Sequence, residues 1–243
     1  MPLPKDIPPL PEFYEIEVKN GDHVRRIALL GLVTEDSTLY LKGAFGGATI
    51  SPVIPTAQEY YNKLMATGKY DAIIPLTHSV IDRDRELMKQ VPFPVLLGGH
   101  DHEPFNEVVN KGTILKMGMD GNHIGIVELT WPDATTKAPL VSITSRPASY
   151  YQADPVVADT AAKHMILLEH VKKSPLFSIP SDLKMPFSSI MCRFAPSPVA
   201  SALLSIIRDA LEADCCIVNS GCIRGSKDYS SQKVSSHNNK HFH

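Results

Sequence analysis

Three histidines stand where two short apolar runs end. His78 follows Asp71-Ala-Ile-Ile-Pro-Leu-Thr77, and His100 and His102 follow Phe93-Pro-Val-Leu-Leu97 across Gly98 and Gly99. Neutral imidazole is a ligand for zinc, manganese, iron or cobalt, and converging imidazoles make a transition-metal site. The two glycines let the backbone turn sharply, so that a ring can swing into a cleft. His100 and His102 are two apart, which in extended chain puts both rings on one side. Asp101 then points away and can orient a histidine from behind. A lone H-x-H reads as surface histidines in a turn. The third histidine, at the end of a neighbouring strand, turns the reading towards a metal site.

The elements that must position these residues are legible in the hydrophobic pattern. Residues 13–18 alternate as a half-buried strand, Asn20-Gly21-Asp22 is a tight-turn signal, and 26–33 is a second strand. Gly- and Pro-punctuated loop fills 40–55. Thr56 and Glu59 form a capping box for a helix over 56–67, closed by Gly68. A buried strand over 71–77, a helix over 82–91 and a strand over 93–97 then alternate. Such an α/β layout binds ligands at the carboxyl ends of its strands. Strands are predicted at 113–118, 124–130 and 140–145, and helices at 156–172 and 198–212. Cys215-Cys-Ile-Val218 reads as a buried strand with buried free thiols. Trp131 reads as a packing residue, and the Ser-, Asn-, Lys- and His-rich stretch 229–243 as a disordered tail.

Composition narrows the function classes. With 243 residues, 43% apolar and 21% charged, the chain is an ordinary globular protein of one large or two small domains. A net charge of -2, with no basic cluster among aromatics, argues against nucleic-acid binding. No apolar run is long enough to span a bilayer, and Met1 to Pro9 has no signal-peptide pattern; the cytoplasm is the default expectation. None of the four cysteines forms a C-x-x-C pair, so a zinc ribbon is not expected.

Leu76-Thr77-His78, Asp84, Leu87 and Leu97-Gly98-Gly99-His100-Asp101-His102 together resemble the second half of the calcineurin-like metallophosphoesterase domain, with the 5′-nucleotidases as the nearest branch. Residues 29–34 resemble the strand before that stretch, and Ile114 to Gly118 with Ile124 to Leu129 the strand pair after it. Arg193, Ser197, Asp214 and Asn219-Ser-Gly-Cys-Ile-Arg224 resemble the start of the family's C-terminal substrate-binding domain. The resemblance implies an α/β fold. Residues 1–147 would be the C-terminal half of a metallophosphoesterase sandwich. Residues 148–228 would be a linker helix and an incomplete 5′-nucleotidase C-terminal domain.

The resemblance also implies a reaction: hydrolysis of a phosphoester, a nucleoside 5′-monophosphate, with two divalent metals such as Mn or Zn activating water and polarising the phosphate. His78 and His100 would ligate one metal and His102 the other. Arg224 and Arg193 would hold the phosphate, since a guanidinium fork suits its oxygens, and Asn219 would line the nucleoside pocket. The family's D-x-H, G-D and G-N-H-E/D motifs are absent before residue 26, so no catalytic histidine is identified. Asn20-Gly21-Asp22-His23 is hairpin-turn chemistry, and Gly121-Asn122-His123 falls after His102, in a turn. The expectation is therefore a member truncated at both ends, with exposed strand edges and an open apolar face. Two alternatives stand beside hydrolysis: a non-catalytic module that keeps the fold for binding, and a chain completed by a partner supplying the missing half.

Overall fold

The computed structural model describes residues 11–41, 43, 45–173, 175–178, 186–192, 194–223, 227–229 and 233–235. The chain divides into two compact units, Met1–Gln152 and Ala153–His243.

The first unit begins with an antiparallel hairpin, β1 (Tyr14–Asn20) and β2 (His23–Val33). Asn20 pairs with His23 across a two-residue turn in which Gly21 takes φ 59°, the conformation such hairpins require. After α1 (Val53–Ala66), strand β3 (Ala72–His78) lies parallel to β2, and α2 (Ile81–Gln90) leads to β4 (Val95–Gly98). A further hairpin, β5 (Pro104–Val109) and β6 (Gly112–Met117), completes a six-stranded sheet of order β1-β2-β3-β4-β6-β5. Strands β2, β3, β4 and β6 run parallel, with β1 and β5 as antiparallel edges. β5 escapes the sequence pattern because it opens with a proline and its two polar residues, Asn106 and Glu107, stand side by side and break the period-two alternation, as an edge strand tolerates.

Period-two alternation sorts the sheet's side chains. Ala28, Leu30 and Leu32 of β2 face α1 and α2, meeting Ala57, Leu64, Leu87 and Phe93. Ile27, Ile74 and Val95 point the other way, against Val127, Leu129, Val141 and Ile143 of a second sheet formed by β7 (His123–Thr130) and β8 (Leu140–Pro147). Each fully buried Leu or Phe contributes roughly 1.5–3 kcal/mol to holding these layers together. The two-stranded layer covers only part of this face. Val33 and Leu76 share it by alternation and remain 44% and 39% exposed. Trp131 packs at this layer's edge, with the Arg25 guanidinium 5.3 Å from its ring centroid.

One helix start differs from expectation. α1 begins at Val53, a turn before the Thr56 capping box, because the Glu35 carboxylate accepts the Val53 N–H at 2.5 Å. A cap from a distant segment thus replaces the local one, and Pro55 falls in the first turn, where its missing N–H costs nothing.

In the second unit, α3 (Pro155–Lys173) precedes β9 (Pro175–Ser178), and α4 (Pro198–Ala210) is capped by Ser197, whose hydroxyl accepts the Ala200 N–H. Phe187 and Val199 are buried against Leu203, Ile223 and Tyr229. Two sequence expectations fail here. Cys215 to Val218 is not a strand among the described residues: Ile217 is 92% exposed, and Cys215 and Cys222 are exposed while Cys192 is buried. An apolar run becomes a strand only where another strand pairs with it, and none does so among the described residues. Within the stretch read as a disordered tail, β10 (Lys233–Ser235) pairs antiparallel with β9. Its partner lies far along the chain, and three residues are too few to show periodicity. The rest of that stretch beyond Tyr229 lies outside the described residues. No helix among the described residues is long and apolar enough to cross a membrane.

Candidate functional site

The parallel strands bring their carboxyl ends to one edge. Val33 pairs with His78, Thr77 with Gly98, and Gly98 with Lys116, so β2, β3, β4 and β6 finish side by side. His78 ends β3, and the loop after β4 carries His100. Their rings meet edge to face with centroids 5.3 Å apart.

The local backbone explains that meeting. His100 takes φ 73°, a left-handed conformation that costs a residue with a Cβ roughly 1–2 kcal/mol. The chain is therefore not extended through His100-Asp101-His102, and the two rings do not share a side as an extended chain would require. His102 is exposed, and its carbonyl lies over Gly118. The glycines before His100 serve close approach rather than a sharp turn. A Cβ on Gly98 would stand 2.8 Å from Lys116 Cε, and one on Gly99 would stand 3.1 Å from His78 Nδ1.

Beneath the histidines lies a buried charge cluster that sequence reasoning missed. Lys116, 0% exposed, reaches Nζ to Ser79 O at 2.6 Å, Gly99 O at 3.0 Å and Asp101 Oδ2 at 2.5 Å. Asp84 Oδ2 is 2.7 Å from the same nitrogen, an ion pair without hydrogen-bond geometry. Burial pushes the Asp84 carboxyl above its ordinary range, and the Lys116 ammonium opposes that shift. Asp101 thus serves the lysine and not a histidine. The available signal was a lysine inside the apolar strand Thr113-Ile-Leu-Lys-Met117, since a lysine is almost never fully buried unless paired.

Beside His100 opens a cleft of about 440 Å³, walled by Thr34, Asp36, Val53, Arg83 and Asp84. The Asp36 carboxyl is held low, first by the Thr38 hydroxyl and then by the Thr38 N–H, with a smaller contribution from His100. No three His, Cys, Asp or Glu side chains among the described residues converge in a set that could hold a metal ion. Two imidazoles fall short of the about three protein ligands that a catalytic zinc keeps. Two carboxylates beneath the pair, Asp84 and Asp101, are bound to an ammonium. The described residues alone therefore do not fit a resident divalent metal.

In the second unit, Asn219 is exposed and caps a short turn, its side-chain oxygen accepting the Gly221 N–H at 2.8 Å. Arg193 and Arg224 lie outside the described residues.

No family model matches the sequence, and no curated protein matches it. Solved structures do. A 5′-nucleotidase precursor from Thermus thermophilus aligns with TM-score 0.64 and 17% identity over 91% of this chain and 47% of its own. The sulfate thiohydrolase SoxB from Thermus thermophilus aligns with TM-score 0.57 and 18% identity, over 70% and 31% respectively. The calcineurin-like phosphoesterase YfkN from Bacillus subtilis gives TM-score 0.53 and 17% identity, over 66% and 58%. The chain has the fold these structures share, as the motifs around His78 and His100 predicted, and it spans between about a third and three fifths of their lengths.

Proposed function

We propose that this calcineurin-like phosphoesterase fold serves phosphoester hydrolysis, on a small phosphate monoester of the nucleoside 5′-monophosphate class. In this reading the chain supplies the His78–His100 edge rather than a complete catalytic centre. The observation that carries it is that edge: two imidazoles 5.3 Å apart at the carboxyl ends of neighbouring parallel strands, where such folds bind ligands. A divalent metal such as Mn or Zn, two in the resembling family, would supply charge stabilisation at the phosphate. His78 and His100 would be its donors from this chain, with His102 near a second ion. Further donors must join them, and a polypeptide that brings them is the partner this reading implies. Arg193 and Arg224 would hold the phosphate, and Asn219 would line the nucleoside pocket.

A second reading, a non-catalytic module that keeps the fold, is favoured by one observation. Asp84 and Asp101, the carboxylates beneath the histidine pair, are bound to Lys116.

Phosphate release from AMP by the purified chain, with Mn²⁺ or Zn²⁺ added, tests the choice. Activity that disappears in His100→Ala supports hydrolysis at this edge. Equal release by both proteins, or none even after a copurifying partner is restored, overturns it in favour of the second reading.

A further inference from the structure

We infer that the ammonium of Lys116 is the cation that organises this edge of the sheet, a positioning residue that fixes the two histidine-bearing loops with no divalent metal bound. Three of its contacts lie one residue from a histidine. Ser79, whose carbonyl accepts from Nζ, follows His78. Gly99 and Asp101, which supply a carbonyl and a carboxylate, flank His100. A carboxylate from α2, Asp84, closes the set. Two carbonyls and two carboxylates around one charge form the kind of oxygen shell that a hard metal cation would take. Here the charge arrives on a side chain of β6, a strand paired on both sides, so its position is set by the sheet.

The arrangement is built rather than incidental. Lys116 is fully buried, and its three protons meet three acceptors at 2.5–3.0 Å. The stem passes where Gly98 lacks a Cβ. Holding Gly99 and Asp101 from the same point constrains the residue between them, which is His100 in its left-handed conformation. The lysine therefore acts on the pair through the backbone and touches neither ring in the contacts described.

This inference stands apart from the hydrolase reading, because its test needs neither substrate nor added metal. The full chain is prepared in EDTA. Imidazole ¹H–¹⁵N correlations and amide exchange at Gly99 and Asp101 are compared among the unaltered protein, Asp101→Asn and Lys116→Met. The unaltered protein should melt at the same temperature with and without EDTA. Lys116→Met should displace the ring signals of His78 and His100 while leaving those of His23 and His123 in place, and should speed exchange at the two amides by about tenfold or more. Asp101→Asn, the milder change, should move the same two ring signals by less. If Lys116→Met does not fold, Asp101→Asn decides alone. A melting temperature that falls with EDTA overturns the inference, as do His78 and His100 signals that stay in place in Asp101→Asn.

Discussion

Lys116 Nζ stands 2.7 Å from Asp84 Oδ2, with the two side chains 0% and 1% exposed. The pair joins the carboxyl end of β6 to the first turn of α2, beneath the segments that carry His78 and His100. Taking both charges out of water is costly, and their attraction offsets that cost only while each keeps its partner.

Removing one partner should therefore destabilise more than an ordinary core truncation of similar size. Asp84→Ala is expected to lose about 3–5 kcal/mol, since it leaves the ammonium buried with Asp101 as its only carboxylate. Urea unfolding at neutral pH measures this. A loss below about 1 kcal/mol would mean that water reaches the cluster freely.

The two glycines before His100 should respond differently to alanine. In Gly98→Ala the new Cβ meets the Lys116 stem at 2.8 Å, so the strand or the lysine must shift, at about 1–3 kcal/mol. In Gly99→Ala the nearest atom is His78 Nδ1 at 3.1 Å, at the exposed end of a strand. That variant should fold nearly as stably and displace the His78 ring signal. Denaturation curves and imidazole spectra of the two variants, taken together, separate these outcomes.

His100 holds a backbone conformation that glycine adopts freely. His100→Gly should raise stability by up to about 1 kcal/mol while abolishing the imidazole pair, the exchange expected where strain is kept for a site. A clear loss of stability in this variant would show that the His78–His100 contact stabilises the fold by more than the strain costs.

Asp133 offers a pH signature in the β7–β8 connection. Its carboxylate accepts from the Thr135 and Thr136 groups around it, the Thr135 hydroxyl first, and they hold its pKa at about 2 against an ordinary 3.8. A carboxylate lowered on folding favours the folded state above its unfolded pKa. That contribution is lost as the pH falls through about 2. The ¹³C carboxyl resonance of Asp133 should titrate with a midpoint near that value, and Thr135→Val should raise it.

Most of the first unit was legible because its signals are local. Alternation in β2, the apolar runs of β3 and β4, and the Asn20-Gly21-Asp22 turn each act within a few residues. What the sequence hid depends on distant partners. Glu35 sets where α1 begins, β10 exists only beside β9, and Cys215 to Val218 has no pairing strand among the described residues. The site divides in the same way. Strand ends placed His78 and His100 at one edge, but the left-handed turn at His100 and the claim of Lys116 on Asp101 arise only when β6 is set beside β4. An H-x-H spacing reads as one face only if the backbone between is extended, and here it is not.

The most direct test of the site is a Zn²⁺ titration followed by the imidazole signals, in which two donors without a third give only weak binding, on a background in which His237→Ala, His241→Ala and His243→Ala remove adventitious donors outside the described residues. His78→Ala and His100→Ala are each expected to weaken binding by about tenfold or more, whereas His102→Ala leaves it within about twofold. A His102→Ala loss as large as the other two, or binding indifferent to both His78→Ala and His100→Ala, would contradict the account that this edge is built on the His78–His100 pair.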